Sequence, residues 1–117
     1  MIQVKYETDG REHRLTMEGH ANYADRGDDI VCAGASSIVF ALLGWLENNG
    51  QDQEFYHSEV ESGNVRIYCE GDERTAAAFE MTAIGLMQLA DSYPDYVAIE
   101  TAGLAGWPGI FRPGLPS

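Results

Sequence analysis

The sequence predicts an α+β domain, a two-layer sandwich in which two helices cover one face of a mainly antiparallel sheet, in the order ββαββαβ. Three observations support this fold class. Short stretches alternate apolar and polar residues as strands do, two longer stretches carry apolar residues at helical spacing, and glycine-bearing turns join neighbouring strands. Because such hairpins have one apolar face, we expect the helices to cover that face.

The first two strands are predicted from a hairpin pattern near the N-terminus. The first strand has an alternating apolar face formed by Ile2, Val4 and Tyr6. Asp9-Gly10 follows, and such a pair suits the positive φ angles of a two-residue turn. The chain is therefore expected to return as a strand over 13–20, with Leu15 and Met17 facing inward.

The first helix is predicted from an abrupt change in composition. The polar residues at 25–28 give way to an almost wholly apolar stretch from Ile30 to Leu46, and Asp29 is placed to cap its N-terminus. The stretch ends at 48–50 in Asn-Asn-Gly, which is a good helix stop. A helix that is apolar nearly all round must be covered on more than one side, by the second helix or by a neighbouring subunit.

The remaining elements follow in order. They are strands at 54–62 and 65–70 around a turn at 62–64, a helix capped by Asp72 that runs to about residue 92, and a strand at 96–100. We therefore assign residues 1–100 to one domain and 101–117 to a Gly/Pro-rich C-terminal tail. The tail also carries large apolar residues, namely Leu104, Trp107, Ile110, Phe111 and Leu115. It could dock as an extended arm on its own domain or on a partner.

The charge balance limits the partners and the compartment. The 117 residues include 19 acidic and 7 basic side chains, a formal net charge of -12. Such a surface repels phosphates, so we expect no direct nucleic-acid binding and favour basic proteins as partners. The first residues hold no apolar leader, and Ser36 and Ser37 interrupt the apolar stretch that follows Ile30. We therefore expect no membrane span, a cytoplasmic protein and reduced thiols.

The stretch from 19 to 37 carries the candidate chemistry. Cys32 falls in the first turn of the predicted helix, where unpaired backbone N–H groups and the helix dipole stabilise a thiolate. His20 ends the preceding strand and could fold back over this turn as the base that a thiol nucleophile needs. Asp29 and Ser36 share one helix face with Cys32 because of their spacing. The alternative is that Cys32 is a small core residue and that His20 bonds to the backbone.

Other residues are weaker candidates. His57 is a rival base in mid-strand that nothing places beside the helix start, and we interpret His13 as a surface residue. Cys69 shares a strand face with Val65 and Ile67, so we interpret it as a core residue.

The loop over 21–28 has few apolar anchors, and we expect it to be a mobile gate over the site. It contributes Asp25 and Asp28, which stand close to Asp29 in the sequence. Their spacing fits neither an EF-hand nor a zinc motif. A solvated loop followed by a helix cap is therefore the favoured interpretation, and we predict no metal and no cofactor.

The motif around these residues resembles a known family. Gly-His-Ala at 19–21, together with Asp-Ile-Val-Cys-Ala-Gly-Ala-Ser at 29–36, resembles the signature of the bacterial ribosomal-processing cysteine proteases, the Prp family. The likeness covers about residues 1–100, and the tail matches nothing in that family. It implies that His20 is the catalytic base and Cys32 the nucleophile. The family's other motif positions are matched by Gly19, Asp29 and Ser36.

The resemblance implies an activity and a substrate. Prp proteases remove a short N-terminal extension from large-subunit ribosomal protein number twenty-seven, and the family implies a homodimer. That substrate has an apolar extension, cut before a small residue, and a lysine-rich body. We therefore expect an apolar subsite beside Cys32 and acidic residues near its exit side, among them Glu18, Asp25 or Asp28. The alternatives are a non-catalytic ribosome-assembly or protein-binding module of the same fold, and a phage-related copy that processes a capsid protein.

The expected mechanism assigns a role to each motif residue. The Cys32 thiolate attacks the peptide carbonyl, backbone N–H groups near the helix start stabilise the oxyanion, and His20 gives a proton to the leaving amine. Asp29 caps the helix, orients His20, or does both. The Ser36 hydroxyl holds the loop or substrate, or bonds to the carbonyl four residues earlier.

Overall fold

The computed structural model describes residues 1–25, 29–49 and 53–103, with side chains throughout except at 53–55. The predicted gate residues 26–28, including Asp28, and the predicted tail from residue 104 onward lie outside the described residues. The elements follow the predicted order ββαββαβ. They are β1 (Ile2–Thr8), β2 (Glu12–Glu18), α1 (Ile30–Asn48), β3 (Gln53–Glu61), β4 (Asn64–Gly71), α2 (Glu73–Ser92) and β5 (Val97–Gly103).

The five strands form one mixed sheet in the order β3-β4-β2-β1-β5. Neighbours are antiparallel except for β1 and β5, which run parallel from Ile2 opposite Val97 to Thr8 opposite Gly103. The predicted α+β fold with a mainly antiparallel sheet is therefore confirmed. The sheet has two distinct ends, because the β1–β2 turn lies at one end and the β3–β4 turn at the other.

One face of the sheet forms the core together with both helices. The alternating positions of β1 are buried as predicted, with Tyr6 only 1 % exposed, and the opposite face carries exposed residues such as Lys5. β5 extends to Gly103, three residues beyond the predicted domain boundary at residue 100. Since each of these residues pairs with β1, the domain includes them.

Both helices begin and end close to where the sequence predicts. Asp72 caps α2 by accepting from the N–H groups of Arg74 and Thr75. At the end of α1, the backbone and side-chain N–H groups of Asn49 both donate to the Trp45 carbonyl oxygen. These contacts satisfy groups that a helix end leaves without partners.

The length and apolar composition of α1 would also allow it to cross a membrane. One side of the helix is instead part of the core. Its buried residues are Val31, Ala35, Val39, Leu42, Leu43 and Leu46. They join the strand residues and α2 in one apolar cluster, which is the arrangement of a core helix.

The sequence prediction is wrong for His13. This residue is 1 % exposed, because it alternates with Leu15 and Met17 on the inner face of β2. Its Nδ1 lies 2.7 Å from the Tyr6 hydroxyl and 2.9 Å from the Thr8 hydroxyl, and its ring stacks on Phe79 with centroids 4.7 Å apart. The sequence showed no acid-base partner for His13 and suggested a surface position, whereas the strand register and the hydroxyl partners place it in the core.

Burial has a consequence for the titration of His13. Desolvation lowers the pKa of its imidazole from 6.5 to about 4, a change that the charge of Asp9 opposes in part. The unfolded chain therefore takes up this proton at a higher pH than the folded chain does. Folding stability is retained above about pH 6.5 and falls as the pH drops toward about 4.

We predict that His13 makes the protein acid-sensitive. The free energy of unfolding should fall by about 2 kcal/mol more between about pH 7 and about pH 5 in the native protein than in His13→Gln, which removes the titrating group. Urea unfolding at the two pH values measures this difference. The titration of the Asp and Glu carboxylates contributes to both proteins and cancels when they are compared. An equal pH dependence in the two proteins would contradict the buried neutral imidazole.

Candidate active site

The predicted site residues line one cavity at the sheet end that holds the β3–β4 turn. The cavity has a volume of about 710 Å³ and lies between the start of α1, the chain that follows β2 and the β3–β4 hairpin. All five predicted site residues line it, namely Gly19, His20, Asp29, Cys32 and Ser36. The fold therefore brings together residues that are up to 17 positions apart in the sequence.

Cys32 lies in the first turn of α1, as predicted, and its side chain is half-buried. The backbone N–H of Ala21 donates to its Sγ over 3.2 Å. The sulfur also lies beside the N-terminus of α1, which carries the positive end of the helix dipole. The surroundings of Cys32 therefore suit a nucleophile.

Asp29 is the N-cap of α1. Its Oδ1 accepts from the N–H groups of Val31 at 3.0 Å and Cys32 at 2.9 Å, and its Oδ2 accepts from the N–H of Tyr23 at 3.0 Å. The pKa of Asp29 is lowered, chiefly because the Cys32 N–H donates to the carboxylate, an effect that desolvation opposes in part. Of the two roles considered for Asp29, the described contacts include the cap and no hydrogen bond to His20.

This cap bears on the expectation that backbone N–H groups at the start of α1 stabilise the oxyanion. The N–H groups of Val31 and Cys32 donate to the Asp29 side chain, and the N–H of Ala33 donates to the Asp29 carbonyl oxygen. These three helix-start donors are therefore occupied in the structure. The Ala21 N–H, contributed by the chain after β2, is instead the donor that reaches the sulfur.

His20 lies two residues beyond the end of β2, and its side chain is exposed. Gly19 precedes it with a φ of +91° and donates its N–H to the Gly63 carbonyl oxygen over 2.9 Å. A Cβ at Gly19 would collide with the Met1 carbonyl oxygen. The role of Gly19 is thus to allow this backbone conformation, since a glycine alone fits both the φ angle and the close approach of the Met1 carbonyl oxygen.

Ser36 lies one turn beyond Cys32, and its half-buried side chain faces the same cavity. Two hydrogen bonds were considered for its hydroxyl, one to the loop or substrate and one to the carbonyl of Cys32. Neither the loop bond nor the carbonyl bond occurs among the residues that the structure describes. Because Ser36 lines the cavity, a substrate bound there could contact its hydroxyl.

The first half of the predicted gate is anchored, which contradicts the expectation that the loop has few apolar contacts. Ala21 is 2 % exposed. The Tyr23 ring packs edge-on against Tyr93 at 5.6 Å and Tyr96 at 5.1 Å between centroids. These aromatic contacts join the loop to the end of α2 and the start of β5. Sequence reasoning missed them because Tyr23 is far from Tyr93 and Tyr96 in the chain.

The cavity also has walls that sequence reasoning did not include. Phe40 of α1 and Val60 of β3 both line it, and they are 53 % and 48 % exposed. They give it an apolar side, while Glu61 contributes a carboxylate. The spacing of Phe40, two turns beyond Cys32 on α1, is the signal that could have identified this wall.

The rival residues lie elsewhere. His57 is exposed on β3 and pairs with Glu59 over 3.3 Å, outside the cavity. Cys69 is fully buried, and burial raises the pKa of its thiol to about 11. Among residues 1–25, 29–49 and 53–103, no group of three or more His, Cys, Asp or Glu side chains is arranged to hold a metal ion.

Comparison with known proteins decides the family. The sequence pattern of the family described as cysteine protease Prp matches residues 1–98. The chain belongs to the Prp family. The ribosomal processing cysteine protease Prp of Mycoplasma pneumoniae is 35% identical over 89 residues, which cover 75% of this chain and 86% of the relative. That of Staphylococcus aureus is 38% identical over 100 residues, which cover 84% and 94%.

A solved Prp structure has the same fold. The crystal structure of an essential ribosomal processing protease Prp from Staphylococcus aureus, in complex with a covalently linked product peptide, superposes with a TM-score of 0.78 at 20% identity. The match covers 86% of this chain and 99% of that chain. The family match and the two relatives above make this chain a ribosomal-processing cysteine protease of the Prp type. Of its two cysteines, Cys32 alone is accessible.

We predict that Asp29 acts in this Prp protease through its cap. Asp29→Ala should lower the midpoint of thermal unfolding and reduce peptidase activity, because α1 loses the acceptor that holds its first turn. Asp29→Asn keeps an acceptor for the Val31 and Cys32 N–H groups, so it should retain most of both properties. Thermal unfolding and peptide cleavage measure the two effects. If the carboxylate charge orients His20, Asp29→Asn will lose as much activity as Asp29→Ala.

Proposed function

We propose that this protease removes an N-terminal extension from large-subunit ribosomal protein number twenty-seven with His20 and Cys32 as a catalytic dyad. The observation that carries the proposal is the cavity, which His20 and Cys32 line together while a backbone N–H donates to the sulfur. The covalently linked product peptide of the Staphylococcus aureus protease supports a covalent mechanism. Gly19, Asp29 and Ser36 then support the dyad through the backbone, the helix cap and the cavity wall.

The proposed reaction has two steps. The Cys32 thiolate forms a bond to the peptide carbonyl carbon, the C–N bond breaks, and the His20 imidazolium gives its proton to the leaving amine. Water then attacks the thioester, His20 takes a proton from that water, and the thiolate leaves. The Ala21 N–H donates to the Cys32 sulfur, and we assign it to the negative charge that the peptide carbonyl oxygen develops when the sulfur attacks.

The cavity supports a substrate that is apolar on one side of the cut and basic on the other. Phe40 and Val60 provide the apolar wall beside Cys32. Glu61 lines the same cavity. Glu18 and Asp25 are exposed and lie within five positions of His20 in the sequence. The whole chain carries a net charge of -12. These charges favour a lysine-rich ribosomal protein and disfavour direct nucleic-acid binding. We place the reaction in the cytoplasm, where ribosomal proteins are made.

We predict that the dyad residues are required for cleavage. Cys32→Ala should reduce cleavage of a peptide spanning the processing site to background, and His20→Ala should reduce kcat/KM by at least about 100-fold, because the proton transfers are lost. Circular dichroism should show that both variants remain folded.

Two variants are matched controls for these substitutions. Cys69→Ala removes the buried thiol, and His57→Ala removes an exposed histidine outside the cavity. Both should retain activity. Cleavage by Cys32→Ala would refute Cys32 as the nucleophile, and full activity of His20→Ala would refute His20 as the base.

We also propose that the protein is a homodimer. A second cavity, of about 650 Å³, lies between α1 and α2 and is lined mainly by apolar residues. Met81 on its rim is 73 % exposed. An exposed apolar groove of this kind is covered in many soluble proteins by a second subunit, which supports the proposal. Residues 1–100, extended by the end of β5, would be the folded domain of each subunit, with the tail beyond it.

Sedimentation at micromolar concentration tests the dimer. We predict a dimer for the native protein and a monomer for Met81→Glu. Burying an unpaired carboxylate at the interface costs more free energy than burial of the apolar groove contributes to association. Gln3→Glu adds the same charge on the open face of the sheet and should remain a dimer. A native monomer would contradict the proposal, and a dimer of Met81→Glu would place the interface elsewhere.

A further inference from the structure

The β3–β4 turn is packed against the residues that carry the proposed base. Glu18 on β2 pairs with Asn64 on β4, so the turn before Asn64 lies beside the end of β2. The Gly19 N–H then donates to the Gly63 carbonyl oxygen over 2.9 Å. This hydrogen bond fixes the turn to the residue immediately before His20, although Gly63 and His20 are 43 positions apart in the sequence.

The His20 imidazole lies on the open side of Gly63, where another residue would carry a Cβ. An ideal Cβ built on Gly63 would stand 2.7 Å from His20 Nε2, 3.3 Å from Cε1 and 3.4 Å from Cδ2. The first of these separations is shorter than a carbon and a nitrogen can approach without one of them moving. The absence of a side chain at Gly63 therefore creates the space that the ring occupies.

Few other contacts determine where this ring lies. The side chain of His20 is exposed, and within the described part of the chain no hydrogen bond holds its ring nitrogens. An exposed histidine without a hydrogen bond exchanges between rotamers unless packing favours one. The surface of the β3–β4 turn supplies such packing on one side of the ring. A general base must be held within hydrogen-bond reach of its partner, so this surface bears on the reaction.

We propose that Gly63 is a positioning residue for His20, which keeps the imidazole in the cavity that it shares with Cys32. The proposal rests on the dyad proposed above. A Cβ at this position moves the imidazole away, and a displacement of about 1 Å can reduce a catalytic rate by about 100-fold. The ring is free to move in this way, because it lies at the surface and can rotate into solvent.

The backbone conformation of Gly63 requires a control of its own. Its φ is +73°, so any side chain here also brings backbone strain. Gly10 in the β1–β2 turn has a φ of +94° and lies at the opposite end of the sheet. Gly10→Ala therefore introduces similar strain without a contact to His20. Gly63→Asn is a second variant, because asparagine tolerates positive φ and still carries the Cβ.

The test compares the native protein with Gly63→Ala, Gly63→Asn, Gly10→Ala and His20→Ala. The first measurement is peptide cleavage, with kcat and KM determined separately. The second is the rate at which iodoacetamide labels Cys32 as a function of pH, followed by mass spectrometry of the Cys32 peptide. Iodoacetamide is small, so it reports on the thiol even where a substituted turn obstructs the peptide. A thiol without an imidazole partner loses labelling rate about tenfold per pH unit below its ordinary pKa of about 8.5.

The proposal predicts that both Gly63 variants lower kcat by about 10- to 100-fold, with little change in KM, and give the steep labelling profile of His20→Ala. Gly10→Ala should keep the native kcat and labelling profile, although its unfolding midpoint falls as much as that of Gly63→Ala. Native kcat and labelling in the Gly63 variants would overturn the proposal while leaving the dyad intact. A rise in KM alone would assign Gly63 to substrate access instead and would also overturn it. If His20→Ala itself keeps native activity and labelling, the dyad is refuted rather than the role of Gly63.

Discussion

The site depends on the hydrogen bonds that the Asp29 carboxylate accepts. One oxygen holds the first turn of α1 through the N–H groups of Val31 and Cys32, and the other holds the loop through the N–H of Tyr23. A single side chain therefore orients the helix that carries the thiol and the segment that covers it. The Tyr23 ring extends this link to Tyr93 and Tyr96, so the loop is also joined to the second half of the domain.

The cap also explains why the site needs a donor from outside the helix. A helix N-terminus can stabilise a thiolate or an oxyanion with its unpaired N–H groups, but here the N–H groups of Val31, Cys32 and Ala33 are already paired. What remains of the helix effect is the dipole. The direct hydrogen bond to sulfur comes from Ala21, which the turn after β2 brings over the start of α1. The site is thus assembled from two segments that the loop connects and Asp29 joins.

The two ends of the sheet place a histidine in different surroundings. At the catalytic end, Gly19 and Gly63 allow two backbones and an imidazole to approach closely, and the histidine remains exposed. At the other end, His13 is enclosed by Tyr6, Thr8 and Phe79 and is held neutral by burial. The same residue type is therefore exposed at one end and buried at the other. Solvent access and neighbouring groups decide the difference, since the side chain itself is the same.

The sequence by itself determined the seven elements, the cap at Asp29, the helix position of Cys32 and the motif shared with the Prp family, because periodicity, capping and local motifs depend on neighbours in the chain. The tertiary structure decided what depends on pairing between distant segments. The parallel contact of β5 with β1, the hydroxyl partners of the His13 ring, and the tyrosine contacts of the loop all follow from packing that no local pattern encodes. The packing of the His20 ring against Gly63 was also decided by the tertiary structure, because β2 and β4 become neighbours only when the sheet forms.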